Sequence, residues 1–156
     1  MPSSSLQRWF AERAAALADV ENAHRSVRGS GPGARAASQQ INQAYAVLLT
    51  AQFQGFCRDL RSECTDYLVA PVADPDLREM LRDNLLLGRR LDRGNPNPGN
   101  LGADYNRLSL AFWSLVDAGS PANLARRAAL EQLCEWRNAI AHQDFGPSLL
   151  RAGRPS

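Results

Sequence analysis

Apolar residues recur at three- and four-residue spacing along most of this chain, which is the pattern of amphipathic helices. A first helix is predicted over about Leu6–Arg28, with Ser5 as its N-cap and the glycine-rich residues 29–33 as its end. A second, longer helix is predicted over about Arg35–Val69, closed by Pro71. The predicted core-facing stripe of this second helix comprises Ile41, Tyr45, Leu48, Leu49, Phe53, Phe56, Leu60, Cys64, Tyr67 and Leu68.

Two later helices are predicted to begin with a capping side chain followed by proline. Asp74-Pro75 opens a third helix that ends at Gly88, and Ser120-Pro121 opens a fifth helix through about Ala141. Between them, Asp104 is predicted to cap a fourth helix, and residues 88–103, rich in Gly, Asn and Pro, are predicted to form a loop. The predicted inward residues of the third helix are Leu77, Met80, Leu81 and Leu85.

No segment shows the alternation that is typical of a strand. We therefore expect an all-α bundle of four to five helices with up-down topology. The length of 156 residues predicts one domain over 1–156, with a frayed tail over about 148–156.

Composition and charge narrow the class of protein only modestly. Hydrophobic residues make up 44% of the chain and charged residues 22%, which excludes a mostly disordered chain. No apolar run reaches the length of a membrane span, and the first residues show no signal-peptide core, so we expect a cytoplasmic protein with no membrane partner. All 18 basic residues are arginine, which reflects either a GC-rich gene or a use of arginine for bidentate phosphate contacts.

Most signatures of catalytic and binding sites are missing from the sequence. There is no glycine-rich phosphate loop and no zinc-binding motif, and we expect neither a cofactor nor a metal. The three cysteines, Cys57, Cys64 and Cys134, are interpreted as buried thiols in a reducing compartment. The carboxylate pairs Glu63/Asp66 and Glu131/Glu135 are interpreted as solvated charges.

One segment of the last helix suggests chemistry, and it reads Arg137-Asn138-Ala139-Ile140-Ala141-His142. It resembles the motif of the HEPN superfamily, whose ribonuclease members carry Arg, four to six residues and then His, commonly with a polar residue directly after the Arg. The form is similar to that of the RiboL-PSP and MAE groups of this superfamily. The aromatic-rich helix around Tyr45 to Phe56 also resembles a core helix of several HEPN families.

The resemblance implies a metal-independent endoribonuclease in a toxin or anti-phage role. Its substrate would be RNA, which the enzyme cleaves through attack of the 2′-hydroxyl to leave a 2′,3′-cyclic phosphate. Arg137 would stabilise the phosphorane, His142 would act as general acid or base, and Asn138 would position the reacting groups. The resemblance further implies a homodimer with a composite active site and a possible antitoxin or defence partner.

Two alternatives remain open at the level of the sequence. The chain could be a catalytically silent HEPN module that binds RNA or a protein partner as a dimer. Alternatively, Arg137, Asn138 and His142 could simply cap the end of their helix together with Gln143-Asp144. The chain also carries Asp144 where some HEPN toxins carry a tyrosine that an antitoxin modifies, which puts control by that kind of partner in doubt.

Overall fold

The computed structural model describes residues 3–27 and 32–145, and within these ranges the regular structure is entirely helical. The all-α prediction is thereby confirmed, whereas the up-down topology stays a prediction. The elements are α1 (Ser4–Arg8), a π-helical turn (Trp9–Arg13), α2 (Ala14–Val27), α3 (Pro32–Val69), α4 (Pro75–Leu86), a 3-10 turn (Arg90–Asp92), α5 (Pro98–Asn106), α6 (Phe112–Gly119) and α7 (Ala122–His142).

The long helix α3 forms the centre of the fold and packs against α1, α2, α4, α5 and α7. Its middle turns carry Phe53, Phe56 and Cys57 into a core that also contains Leu101 and Tyr105 of α5. Aromatic contacts hold other elements to this core. Trp9 lies edge-on to Phe56 with ring centroids 5.5 Å apart, and Phe112 stacks on Tyr105 at 4.4 Å.

The buried face of α3 is more polar than the predicted stripe. Thr50, Arg61 and Thr65 are buried, whereas Tyr67, predicted to face the core, is 82% exposed. The two threonine hydroxyls donate to the carbonyls of Ala46 and Arg61, one turn back, so their burial leaves no donor unpaired. Apolar periodicity located the helix correctly but assigned part of its face wrongly.

The start of the chain differs from the predicted helix in its cap and in its register. Ser3, and not Ser5, accepts the capping hydrogen bond, which comes from the Leu6 amide. The π-helical turn then places one extra residue in the helix, as the Ala14 amide bonds to the carbonyl of Trp9. In these first turns, the apolar side chains of Leu6 and Phe10 are 44% and 69% exposed and lie outside the core. Of the predicted end of this helix, residues 28–31 lie outside the described residues.

Glu63 of α3 anchors this N-terminal helix. Its carboxylate accepts hydrogen bonds from the hydroxyls of Ser3, Ser4 and Ser5 and from the Ser5 amide at 3.0 Å. Burial alone would raise the pKa of Glu63, but these hydrogen bonds outweigh it and lower the pKa to about 2. The interpretation of Glu63 as a solvated charge was wrong.

The prediction of a continuous loop over residues 88–103 was also wrong. The segment contains the 3-10 turn and the first residues of α5, whose N-cap is Asn97 with Pro98 at the first helical position. Asp104 lies inside α5 and caps no later helix. Its buried carboxylate instead accepts hydrogen bonds from the amides of Arg90 and Leu91, at 2.8 and 3.0 Å, which fixes the 3-10 turn.

The capping predictions for α4 and the extent predicted for α7 agree with the structure. Asp74 accepts a hydrogen bond from the Leu77 amide, and α7 ends at His142. The inward orientation predicted for α4 was wrong in part, because Leu77, Met80 and Leu81 are exposed. None of the described helices is long and apolar enough to cross a membrane. The predicted frayed tail over 148–156 lies outside the described residues.

Candidate functional site

The segment Arg137–His142 forms the C-terminal turns of α7. Ala139 is buried against the rest of the protein, while Asn138 and His142 are exposed and Arg137 is partly exposed. Trp136 packs against Phe145 with ring centroids 6.4 Å apart, which holds the chain that leaves the helix against its last turns. The three predicted site residues therefore lie at the surface of α7, while Ala139 and Trp136 pack against the rest of the protein.

Backbone groups and one glutamine close the end of α7. Gln143 adopts a left-handed conformation with φ of 54°, and the Asp144 amide donates to the carbonyl of Ala139 at 3.0 Å. The Gln143 side chain donates to the carbonyl of Ile140 at 2.8 Å. This arrangement is a Schellman-type end, in which residues after the helix satisfy its last carbonyls. In the described part of the chain, Arg137, Asn138 and His142 thus have no capping role.

Asn138 connects two other side chains at this surface. Its Oδ1 accepts a hydrogen bond from Nη1 of Arg137 at 3.2 Å and another from Nδ2 of Asn95 at 3.1 Å. The amide is thereby oriented with its carbonyl oxygen towards two donors, and its NH2 group is left to donate. The structure thus brings the side chains of Arg137 and Asn138 into contact. Such a contact is unusual, because the side chains of adjacent residues in a helix do not face each other.

Asn95 belongs to the segment between the 3-10 turn and α5, and this segment is held at several points. Nε2 of Gln54 on α3 donates to the carbonyls of Leu91 and Gly94 at 2.6 and 2.9 Å. Nδ2 of Asn100 donates to the carbonyl of Asn95 itself at 2.9 Å. Asn95 is therefore a fixed neighbour of the motif, although no motif in the sequence marks it as a site residue. The repeated cap-and-proline pattern at Asn97-Pro98 was the one signal that this segment is ordered.

Arg137 and His142 are not brought together within one chain. Five residues of α-helix place them about 140° apart around the axis and about 7.5 Å apart along it. In the described part of the chain, the side-chain hydrogen bond of Arg137 goes to Asn138, and the His142 side chain makes none. The guanidinium group of Arg137 and the imidazole of His142 thus remain accessible to a ligand or to another molecule.

The cysteines are free thiols; Cys57 and Cys134 are buried as predicted, whereas Cys64 is only partly buried. Cys134 lies one turn before Arg137 on α7. Burial, reinforced by Glu131, raises the pKa of Cys134 to about 11 against a smaller opposing effect of Arg137. Burial next to Cys134 likewise raises the pKa of Cys57 to about 12. Both thiols are protonated at neutral pH, which is unsuited to a nucleophile.

Neither a family model, nor a curated protein, nor a solved structure matches this chain. Residues 3–27 and 32–145 contain no cluster of three or more His, Cys, Asp or Glu side chains that could hold a metal ion. The candidate site is therefore defined by its own geometry, in Asn95, Arg137, Asn138 and His142.

Proposed function

We propose that this protein is a metal-independent endoribonuclease whose active site is built on the end of α7. The observation that carries the proposal is that backbone groups and Gln143 close this helix, while Arg137, Asn138 and His142 stay exposed or partly exposed beside it. Side chains that a helix end does not need are available for a ligand. The resemblance of Arg137–His142 to the HEPN motif supports the same proposal, including its toxin or anti-phage role.

The residue types suit an in-line transfer within RNA. The 2′-oxygen attacks the adjacent phosphorus, the bond from phosphorus to the 5′-oxygen breaks, and a 2′,3′-cyclic phosphate and a 5′-hydroxyl form. The proton leaves the 2′-hydroxyl for a base, and an acid returns a proton to the departing 5′-oxygen. His142 can serve in either step, since an imidazole can accept a proton at one nitrogen and donate one from the other.

Arg137 supplies the charge that this reaction needs. A guanidinium stays protonated and offers paired donors to the oxygens on which charge builds in the transition state. Nη1 of Arg137 is held by Oδ1 of Asn138 at 3.2 Å, which itself accepts from Asn95. The free NH2 group of Asn138 is oriented by the same contacts and can donate to a phosphate oxygen.

The test is incubation of the purified chain with mixed single-stranded RNA in excess EDTA, followed by analysis of the product ends. We expect cleavage to persist, to leave 2′,3′-cyclic phosphates, and to stop when the nucleotide at the cut site is 2′-deoxy. Cleavage of DNA or a strict requirement for magnesium would contradict the mechanism.

Variants separate the catalytic role from a structural one. His142→Ala and Arg137→Ala should each lower the rate by about 10²-fold or more, with thermal midpoints within a few degrees of the parent. Matched controls are His24→Ala, which removes the other histidine, and Arg126→Ala, which removes another arginine of α7. RNA binding without cleavage by the parent chain would favour the alternative of a catalytically silent module.

A further inference from the structure

A polar pocket of about 300 Å³ lies between the π-helical turn, α3 and the 3-10 turn, apart from the residues of the proposed active site. Three arginines contribute to its lining, together with a glycine, a serine and an aspartate. The lining residues are Arg13, Gly55, Arg58, Asp59, Ser62 and Arg89.

Arg13 reaches this pocket because α3 has a glycine at its crossing point. A Cβ atom on Gly55 would collide with Nη1 of Arg13, so a larger residue would displace the guanidinium. The guanidinium donates to Gln52 at 3.0 Å and to Asp59 at 2.8 Å. Its Nε is buried and has no partner among the described residues. The arginine is thus fixed in place with a donor still unused.

The pocket and its rim carry more positive than negative charge. Asp59 is shared by Arg8 and Arg13, at 3.0 and 2.8 Å. Asp92 is shared by Arg58 and Arg89, at 2.9 and 3.0 Å. This cluster of four arginines and two aspartates has a formal charge of +2.

Two of these arginines, Arg58 and Arg89, have N–H groups that make no hydrogen bond within the described residues. Arg89 donates from Nε to Asp92 and from Nη1 to Oγ of Ser62 at 3.1 Å, and Arg58 forms an ion pair with the same Asp92 carboxylate. Within the described residues, both terminal nitrogens of Arg58 and Nη2 of Arg89 make no hydrogen bond. Because Asp92 pairs with both guanidinium groups and Ser62 also accepts from Arg89, these nitrogens are placed beside the pocket before a ligand binds.

We propose that this pocket binds a phosphate group, held between the guanidinium groups of Arg58 and Arg89. A guanidinium group can donate two parallel hydrogen bonds to two oxygens of a phosphate. Arg58 and Arg89 share the single carboxylate of Asp92, so one positive charge is left for an anion to neutralise. The volume accommodates a phosphate and part of the group that carries it. The proposal does not require the chain to cleave RNA.

The phosphate can come from a small phosphorylated compound or from the backbone of RNA. Asp92, which fixes the two arginines, is three residues from Asn95, which contacts Asn138. Three residues span at most about 11 Å. A bound RNA strand could therefore occupy both places, and experiments with separate ligands distinguish the two sources.

The experiment follows the Nε–H signals of arginine in NMR spectra of the full chain during titration with inorganic phosphate, with adenosine 3′-monophosphate and with a ten-nucleotide single-stranded RNA. For the RNA, His142→Ala protein prevents cleavage. Sodium chloride at matched ionic strength is the reference. We expect the signals of Arg58 and Arg89 to shift saturably with phosphate-bearing ligands and not with chloride. Tighter binding of RNA than of the mononucleotide identifies the backbone as the source, and the reverse order identifies the small compound.

Substitutions then locate the site. Arg58→Gln and Arg89→Gln should each weaken binding by about tenfold, whereas Arg82→Gln, which removes an arginine paired with Asp66 elsewhere, should leave it unchanged. Arg58 is exposed, so its variant keeps the test valid even if Arg89→Gln disturbs the fold. Equal shifts with chloride, or equal affinity of all three variants, would overturn the proposal. Loss of cleavage in His142→Ala with phosphate binding intact would show that the two sites are separate.

Discussion

The side-chain amide of Asn95 donates a hydrogen bond to Oδ1 of Asn138 at 3.1 Å, although 43 positions separate the two residues in the sequence. This contact joins the segment before α5 to the last turns of α7. Since Oδ1 of Asn138 also accepts from Arg137, a residue remote in sequence takes part in orienting the proposed catalytic arginine. If the proposed ribonuclease site is correct, this contact predicts a positioning role for Asn95, and that role can be measured.

Asn95→Ala should slow RNA cleavage by several-fold through kcat, with KM little changed, because one of the two donors that fix Asn138 is lost. Stability should change by about 1 kcal/mol or less, as the pair lies at the surface. Asn95→Asp, which keeps the size but replaces the donor by an acceptor, should be at least as slow. Asn106→Ala, an exposed asparagine at the end of α5, is the matched control. Full activity of both Asn95 variants would show that the contact has no role in positioning.

Glu63 should make the protein sensitive to acid. In the folded state its pKa is about 2, against an ordinary value of 4.5. Because folding lowers the pKa, the carboxylate stabilises the folded state fully above about pH 4.5, and the stabilisation is lost as the pH falls through about 2. Thermal midpoints measured between pH 6 and the acid limit should therefore fall less steeply in Glu63→Gln than in the parent.

The control for this pH dependence is Glu79→Gln, which removes an exposed carboxylate of α4. Its profile should follow that of the parent. Because the partners of Glu63 are serines 3–5, the protection of α1 amides against hydrogen exchange, corrected for the intrinsic rate at each pH, should fall first in acid. Parallel profiles of the parent and Glu63→Gln would contradict the assignment of this shift to the serine contacts.

Arg61 should contribute far more to stability than an exposed arginine does. It is fully buried, and it donates to the carbonyls of Asp104 at 3.0 Å and Leu85 at 2.7 Å. Arg61→Leu leaves both carbonyls without this donor and removes a cation that interacts with the buried Asp104 carboxylate, so the free energy of unfolding should fall by about 3–5 kcal/mol. Arg82→Leu, which breaks a surface ion pair, should cost about 1 kcal/mol or less by urea unfolding. Equal losses of unfolding free energy in the two variants would show that the buried hydrogen bonds of Arg61 add no more stability than a surface ion pair.

The contrast between Arg61 and the apolar stripe of α3 explains what the sequence could predict. Periodicity located α3 and α7, because core contacts require apolar residues every third or fourth position. It could not place Arg61 or Asp104 inside the core, since their burial depends on partners that only the tertiary fold supplies. A local pattern also could not distinguish a loop from the short helix α5, whose nine residues include two glycines.

The same distinction applies to the candidate site. Arg137, Asn138 and His142 were identified because they are close in sequence, and a motif can be recognised only from neighbouring positions. Asn95 and the arginines of the pocket that we propose to bind phosphate come from four separate parts of the chain, so no spacing rule unites them. These residues meet only in the tertiary fold, once the separate segments are packed together.

The final prediction concerns how Arg137 and His142 could act on one phosphate. They lie about 140° apart around α7, so one copy of the helix cannot present both to the same atom without a long reach. Two copies packed about a two-fold axis would place the motif of each subunit opposite that of its partner. The proposed composite site thus predicts that each inactive variant can supply what the other lacks.

Mixing Arg137→Ala with His142→Ala protein, under conditions that exchange subunits, should therefore restore part of the ribonuclease activity, because the mixed dimer keeps one arginine and one histidine in its cleft. Native mass spectrometry verifies the exchange. The matched control mixes Arg137→Ala with the double variant Arg137→Ala/His142→Ala, which has no Arg137 in either subunit and should stay inactive. A mixture that exchanges fully and remains inactive, or a chain that is monomeric at micromolar concentration while cleaving RNA, contradicts the composite site and would require Arg137 and His142 of one chain to act together.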